Sequence, residues 1–218
     1  MDLAKRQKKE KNIIKAAEQI FADSGFYNAK MDDIAQSAGI TKVTLYSYFQ
    51  SKENLYLAII YKGFQVLTEI FYNVINDNRY NTGYDSTMAI FNSFYEFCES
   101  NFLYSEAILD YFSIIRNTVR TDNANQDIRE SIFFLKLQDI QTIPLKLTAK
   151  EIIRGKKDGS ITADIDPMLS TIQGWTMVVG YIKLLIASGS KGSTLMSVDL
   201  KSLKTLSLDM AKNSLKSN

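Results

Sequence analysis

The chain has 218 residues, of which 45% are hydrophobic and 23% charged, a composition that can build a core and excludes disorder of the whole chain. It contains no histidine, which excludes a Ser-His-Asp or Cys-His nucleophile and any zinc site built on imidazole. Its net charge of +2 hides a basic run near the start, formed by Lys5, Arg6, Lys8, Lys9 and Lys11. Such a run is typical of a solvated terminus or of a nucleic-acid contact.

Residues that interrupt helices are scarce, with 2 Pro and 10 Gly in the whole sequence, and this favours an all-α fold. The single cysteine, Cys98, cannot form a disulfide within the chain, and residues 1–12 are mostly polar, unlike a signal peptide. The longest apolar stretch, residues 167–188, includes Gln173 and Lys183, so we interpret it as a buried helix. We therefore expect a cytoplasmic protein that is not inserted in a membrane.

Four helices are predicted at the start of the chain. Apolar residues recur at helical spacing over 13–21, and Gly25 ends this first helix. A short second helix lies within 28–39, and a short third helix follows Thr41, which is a good N-cap. Ser51 caps a longer fourth helix. Two short helices joined by a glycine turn predict a helix-turn-helix.

Five further helices are predicted, which gives about nine in total. Asp166 followed by Pro167 marks the start of one of them, because Asp is a good N-cap and Pro suits the first helical position. Pro144 falls inside another and should kink or split it. The five segments are 86–100, 103–119, 125–157, 167–187 and 197–214.

In a helix-turn-helix the second helix enters the major groove, so its two faces must differ. The apolar residues Ile40, Leu45 and Phe49 are expected to face inward, towards Ile34 and Ala35. Tyrosine and valine facing outward suit hydroxyl contacts to phosphate and apolar contacts to thymine methyl groups. The outward residues are predicted to be Lys42, Val43, Thr44, Tyr46, Ser47 and Tyr48.

The pattern I-A-x-x-A-G-I-T-x-x-T-L-Y-x-Y-F-x-S-K-E-x-L, from Ile34 to Leu55, resembles the DNA-binding domain of the TetR family of transcription regulators. The resemblance covers about residues 8–62. It implies that Thr41, Tyr46 and Lys52 contact phosphates. It also implies that five residues lie at or near base edges: Lys42, Val43, Thr44, Ser47 and Tyr48.

Two positions depart from the family pattern. Val43 replaces the usual glycine or alanine, which suggests a specific apolar contact with a base. Lys30 stands where Ser or Thr usually caps the second helix, and we include it among the DNA-binding candidates. Two alternatives are open there: Asn28 caps the helix instead, or Lys30 contacts a phosphate.

The resemblance also implies the domain organisation and the partners. A helix-turn-helix domain is expected at 1–51, a connecting helix at 52–77, and an effector-binding and dimerisation domain at 78–218. The apolar faces of 167–187 and 197–214 resemble the family's dimer interface. The expected partners are double-stranded operator DNA, a small-molecule effector and a second copy of the chain, with no cofactor and no metal.

Aromatic residues are unusually frequent over 91–112 and recur further on. Most such residues belong to a core, yet some of them are expected to line the effector pocket that the resemblance implies, which favours a small hydrophobic or aromatic effector. Cys98 is most simply a buried small apolar residue. The pocket candidates are Phe94, Tyr95, Cys98, Tyr104, Tyr111, Phe134 and Trp175.

These observations predict a DNA-binding regulator, a repressor that its effector releases from a palindromic operator. The alternative is a DNA-bound protein that recruits a protein partner through its C-terminal body. An enzyme is not expected, because no catalytic constellation is found. Glu96 and Glu99, three residues apart on one helix, are interpreted as a solvated face.

Overall fold

The structure is a computed structural model that describes residues 3–120, 126–189, 194–195 and 197–216. Two short strands, β1 (Thr194–Leu195) and β2 (Val198–Asp199), pair antiparallel with Thr194 opposite Asp199. The rest of the described secondary structure is helical, which confirms the all-α prediction. The helices are α1 (Leu3–Asn28), α2 (Met31–Ser37), α3 (Lys42–Tyr48), α4 (Lys52–Ile75), α5 (Gly83–Ser100), α6 (Phe102–Arg120), α7 (Gln126–Arg129), α8 (Ile132–Ile140), α9 (Ile143–Asp158), α10 (Pro167–Ala187) and α11 (Leu200–Leu215).

The segment expected at 125–157 is divided into α7, α8 and α9; residue 125 itself lies outside the described residues. Pro144 splits this segment as predicted. It lies in the first turn of α9, where its missing N–H leaves no helical hydrogen bond unmade. The expected start of α10 is also confirmed, because the Asp166 carboxylate accepts a hydrogen bond from the Leu169 N–H at 2.7 Å.

Two other helix ends show how local chemistry sets a boundary. Gly25 has the non-helical angles φ 73° and ψ 164°, so α1 is interrupted there as predicted, and one further turn runs to Asn28. The start of α5 was predicted three residues too late. The Thr82 hydroxyl accepts a hydrogen bond from the Asp85 N–H at 3.1 Å, and this cap starts the helix at Gly83.

The chain forms two compact units. Unit 1 comprises residues 1–64 and 107–139, and unit 2 comprises residues 65–106 and 140–218. In unit 1, the Tyr56 hydroxyl donates to the Asp110 carboxylate at 2.9 Å, and the rings of Phe64 and Tyr111 meet edge to face. The second half of α6 and most of α8 therefore belong to the same packed unit as the helix-turn-helix.

Unit 2 is built on close helix packing. A Cβ atom at Gly83 would clash with the backbone of Gly155, so glycine is what allows α5 to approach α9. The start of α5 is also held by the Asp158 carboxylate, which accepts from the Gly83 N–H at 2.8 Å. Three turns further along α5, the ring centroids of Phe94 and Trp175 lie 4.7 Å apart, which packs α5 against α10.

Helix α10 is long and apolar enough, by length and composition alone, to cross a membrane. One of its faces is buried in unit 2, where Trp175, Val178 and Ile182 are at most 7% exposed. The opposite face carries Leu169, which is 67% exposed, and Ile172, which is 49% exposed. The prediction of a buried helix is therefore correct for one face only.

Candidate nucleic-acid interface

The turn between α2 and α3 has the geometry that a helix-turn-helix requires. The Ile40 N–H donates to the Ala35 carbonyl at 3.0 Å, and the Gly39 N–H donates to the Gln36 carbonyl at 3.1 Å. Gly39 has a φ of +65°, a left-handed conformation that glycine adopts without steric penalty. The Asn12 amide donates to the Ala38 carbonyl at 3.0 Å and so ties this turn to α1. The predicted helix-turn-helix is confirmed.

Sequence reasoning missed the contact of Asn12, and nothing in its local pattern could have indicated it. A lone asparagine inside a helix is usually a surface residue, and its partner is 26 positions further along the chain. The predicted cap of α3 is local by comparison. The Thr41 hydroxyl accepts from the Thr44 N–H at 3.2 Å, and the two hydroxyl oxygens lie 2.9 Å apart.

The inner face of α3 agrees with the prediction. Leu45 is fully buried and Phe49 is 4% exposed, and they pack in the same unit as the buried Ile34 and Ala35. Ile40 is half-buried. This face fixes the orientation of the helix, since a seven-residue helix has too few hydrogen bonds to be stable without tertiary packing.

The outer face of α3 consists of Lys42, Val43, Tyr46 and Ser47, all of them exposed. Val43 is 81% exposed and Tyr46 is 40% exposed, a large apolar area for so short a helix. Thr44 lies at the margin and is half-buried. The predicted outward orientation is therefore confirmed for the four exposed residues, while Thr44 lies between the two faces.

Tyr48 does not face outward, and this part of the prediction is wrong. Its hydroxyl oxygen is buried and finds no hydrogen-bond partner within the described part of the chain. The Arg6 guanidinium lies 5.8 Å from the centre of its ring. The reason is helical periodicity, because Tyr48 follows the buried Leu45 by three positions and residues three apart share a face.

Two of the predicted DNA-contacting lysines already have partners. The Lys42 ammonium lies 2.7 Å from the Asp32 carboxylate, and this hydrogen bond raises the pKa of Lys42 above its ordinary value. The Lys52 ammonium donates to three carbonyls, those of Phe26 at 2.7 Å, Tyr27 at 3.1 Å and Ala29 at 3.1 Å. Lys52 therefore satisfies the carbonyls at the end of α1 that the helix itself leaves unpaired.

Lys30 is exposed and precedes the first residue of α2 without a side-chain capping bond. The alternative cap proposed for this helix is wrong, because the Asn28 amide donates to the Ser24 carbonyl at 3.1 Å instead. Asp32 and Asp33 lie in the first turn of α2, where carboxylates interact favourably with the helix dipole. Lys30 is thus exposed to solvent immediately before α2.

The basic run near the start of the chain lies on α1. Its members, Lys5, Arg6, Lys8, Lys9 and Lys11, are all exposed. Lys5, Lys8, Lys9 and Asn12 line a shallow depression. These residues precede Asn12 on α1, and Asn12 contacts the turn before α3. The helix-turn-helix is therefore preceded by a basic, exposed segment of α1.

The predicted effector residues are divided between the two units. Phe94, Tyr95, Cys98 and Trp175 lie buried in unit 2, where Tyr104 is half-buried. The Trp175 indole nitrogen finds no hydrogen-bond partner among the residues that the structure describes. Burial raises the pKa of the Cys98 thiol to about 12, which keeps it protonated and consistent with a structural role.

Tyr111 and Phe134, the other two pocket candidates, belong to unit 1, where Tyr111 is fully buried and Phe134 is 8% exposed. Glu96 and Glu99 are both exposed, as predicted for a solvated face, but Glu99 also makes tertiary contacts. Its carboxylate accepts from the Tyr181 hydroxyl at 2.7 Å and from the Lys204 ammonium at 3.1 Å. These contacts link α5, α10 and α11 inside unit 2.

Residues 13–59 match the family model described as bacterial regulatory proteins, tetR family. Over 55 residues, or 25% of both chains, the protein is 42% identical to the transcriptional activator FasR of Mycolicibacterium smegmatis. It is 29% identical over 125 residues to IcaR of Staphylococcus aureus, a negative transcriptional regulator of the biofilm operon icaADBC, covering 55% of this chain and 63% of IcaR. Residues 13–59 are therefore similar in sequence to the tetR family of bacterial regulatory proteins.

The chain is also similar in fold to a solved transcriptional regulator. The structure of FadR from Bacillus subtilis in complex with stearoyl-CoA has a TM-score of 0.64, with 93% of this chain and 97% of FadR covered at 17% identity. The sequence match to FasR spans a quarter of that protein's length. Sequence similarity therefore supports the interpretation of residues 13–59, which we call the head, as a DNA-binding region. The structural similarity supports the fold alone.

Proposed function

We propose that the protein is a repressor that binds a palindromic double-stranded operator as a homodimer and is released by a small hydrophobic or aromatic effector. The observation that carries this proposal is the outer face of α3. An exposed valine and an exposed tyrosine on a helix with a buried inner face are unfavourable in water. They suit a major groove, where thymine presents a methyl group and the phosphates accept hydrogen bonds.

The residues divide into two kinds of contact. Val43 and Ser47, with Thr44 and Lys42, are assigned to base edges, and Thr41 and Tyr46 are assigned to phosphates. The basic run on α1 and the exposed Lys30 add positive charge for the backbone. Lys52 can reach a phosphate only by giving up a carbonyl partner, so its proposed contribution is to hold α1 against α4.

A dimer is supported by the apolar side chains that unit 2 leaves exposed on α10 and α11. A monomer would keep this surface in water, whereas a second copy placed across a two-fold axis would bury it. The exposed fractions range from 38% to 67%. The residues are Met168, Leu169, Ile172 and Leu184 on α10, with Leu206 and Met210 on α11.

An apolar effector with a hydrogen-bond acceptor is supported by the surroundings of Trp175. Its indole ring packs on Phe94, with the ring centres 4.7 Å apart, while the indole N–H has no acceptor among the described residues. An effector that binds beside these rings could accept this hydrogen bond. The similarity in fold to FadR, which was solved with stearoyl-CoA, makes an acyl thioester the first ligand to test.

The test of DNA binding is selection of duplexes from a random pool, followed by salt titration of the selected and a random duplex. We expect an enriched palindrome that is bound at least 1000-fold more tightly than random DNA, roughly the lower limit for specific regulators. Affinity for both duplexes should fall steeply with salt, because phosphate contacts release counterions. Failure to enrich any sequence would contradict the proposal.

Repression and release are tested with the selected operator and with stearoyl-CoA as the probe. Trp175 is the sole tryptophan, so its fluorescence reports binding within unit 2. We expect saturable quenching and a parallel loss of operator affinity. The operator placed before a reporter gene should lower expression when the protein is present. Higher expression would contradict repression, and quenching without loss of operator affinity would contradict release.

A further inference from the structure

A polar cleft of about 330 Å³ opens in unit 1 beside the last turn of α3. Its walls come from the start of α1, the end of α3, the first turn of α4 and the connection between α7 and α8. The cleft has none of the pocket candidates considered above in its lining. Among the residues that line it are Arg6, Glu10, Tyr48, Asn54, Glu130 and Phe133.

Two polar atoms in the walls of this cleft are buried and unsatisfied. Asn54 is 5% exposed, and its Oδ1 atom has no hydrogen-bond partner among the described residues. The hydroxyl of Tyr48 is in the same condition. Buried polar groups normally have partners, because an unpaired one destabilises the fold by its lost hydration. Both side chains line the same cleft, so a molecule bound there is one source of the missing hydrogen-bond partners.

The local role of Asn54 does not explain its polar side chain. The capping bond at the start of α4 joins the Asn54 backbone N–H to the Ser51 hydroxyl at 3.1 Å and leaves the amide side chain out. A leucine has a similar volume and would fill the position without an unsatisfied atom. The capping bond therefore leaves the amide oxygen without a hydrogen-bond partner among the described residues.

The lining favours a ligand that donates hydrogen bonds and carries positive charge. Glu10 and Glu130 contribute two carboxylates, which outnumber the one guanidinium, that of Arg6. The Asn54 amide oxygen and the Tyr48 hydroxyl add acceptors. Phe133 contributes an apolar surface, because its ring stacks with that of Phe49 at 6.0 Å.

We propose that this cleft binds a small organic cation, an amine or amidine whose N–H groups donate to Asn54 Oδ1 and the Tyr48 hydroxyl. Its volume lies at the lower end of the range for small-molecule sites, about 300–1000 Å³. The site is separate from the effector residues of unit 2 and goes beyond the proposed repressor function. Its existence does not depend on DNA binding, so the two proposals can fail independently.

The test uses the full chain with ¹³C-labelled isoleucine methyl groups, because the side chain of Ile132 lines the cleft. The probe is benzamidine, and benzamide and benzoate are neutral and anionic molecules of nearly the same shape. We expect a saturable shift of the Ile132 methyl signal with benzamidine, with an affinity of roughly 1 mM, a weaker response to benzamide and none to benzoate. No saturable shift with benzamidine, or an equal response to benzoate, would overturn the proposal.

A matched pair of variants on α4 locates the contact. Asn54→Leu should weaken benzamidine binding at least tenfold, whereas Asn73→Leu, at an exposed position of the same helix, should leave it unchanged. Removing the unsatisfied oxygen should also raise the Tm of the ligand-free chain, by about 2–4 °C for each kcal/mol gained at this size. A lower Tm for Asn54→Leu would show that the oxygen already has a structural partner and would overturn the proposal, as would unchanged benzamidine binding.

Discussion

The head and the remainder of the chain are related to other proteins in different ways. The head is 42% identical to FasR over 55 residues, whereas the whole chain shares a fold with FadR at 17% identity. A helix that contacts bases must present particular atoms to the DNA major groove, whose geometry is nearly constant. Few residue types therefore suit each outward position. A helical core tolerates many combinations of apolar residues if the total volume is kept. Sequence therefore relates only this short region to FasR, whereas the remainder of the chain resembles FadR in fold alone.

The largest expected effects test this contrast with one buried aliphatic residue from each unit. Leu45 in unit 1 and Ile152 in unit 2 are both fully buried. Leu45→Ala and Ile152→Ala should each lower the free energy of unfolding by about 2–5 kcal/mol, measured by urea denaturation. Operator affinity under conditions where both variants are folded should fall mainly for Leu45→Ala, since Leu45 orients the outer face of α3. An equal loss for Ile152→Ala would break the contrast.

A smaller effect is expected for Lys52, whose ammonium donates to three backbone carbonyls. Lys52→Met should lower the free energy of unfolding by about 1–3 kcal/mol, because these carbonyls lose a charged donor. The control is Lys62→Met on the same helix, which removes a partly exposed ion pair with Glu18 and should cost about 1 kcal/mol or less.

The same variant separates two roles for Lys52 in DNA binding. If Lys52 only holds α1 in place, the slope of log affinity against log salt should stay the same. A phosphate contact would show as a slope reduced by about 1 in Lys52→Met. Unchanged stability together with a reduced slope would assign Lys52 to the phosphate and contradict the role inferred from its hydrogen bonds.

Local features of the fold could be predicted from the sequence because their causes are local. The N-caps Thr41, Ser51 and Asp166 each bond a backbone N–H three residues away, so the cap and its helix start are visible in one short stretch. Pro144 marks the start of α9 for the same reason. Tyr48 follows the buried Leu45 by three positions, so periodicity places it on the inner face and contradicts the outward orientation that its polarity suggests.

Other features depend on partners that are distant in the sequence. The three carbonyl partners of Lys52 lie 23 to 26 positions before it, and Asp110 lies 54 positions after Tyr56. No periodicity or turn signal encodes such pairs, so the sequence could not show that residues 107–139 pack with the helix-turn-helix. The sequence also cannot predict that Asn54 Oδ1 lacks a hydrogen-bond partner among the described residues, because this depends on every residue that surrounds the atom.

In unit 2, burial raises the pKa of the Cys98 thiol from its ordinary 9.0 to about 12. The unfolded chain therefore loses its thiol proton at a lower pH than the folded chain does. The contribution of Cys98 to stability is complete below pH 9 and is lost as the pH rises towards 12. The stability difference between the wild type and Cys98→Ala should shrink by about 1.4 kcal/mol between pH 8 and pH 10. A constant difference would contradict the buried, protonated thiol.

The smallest expected effect lies at the most exposed apolar residue of the outer face. Val43→Ala removes two methyl groups from a side chain that is 81% exposed, so the free energy of unfolding should change by no more than about 0.5 kcal/mol. If Val43 contacts a thymine methyl, the preference for the selected operator over random duplex should fall by about fivefold, with the salt slope unchanged. Equal loss of affinity for both duplexes would assign Val43 a role in shaping the helix. A change in specificity without a change in stability is the result that a surface evolved for reading DNA should give, because its side chains contribute nothing to the core beneath them.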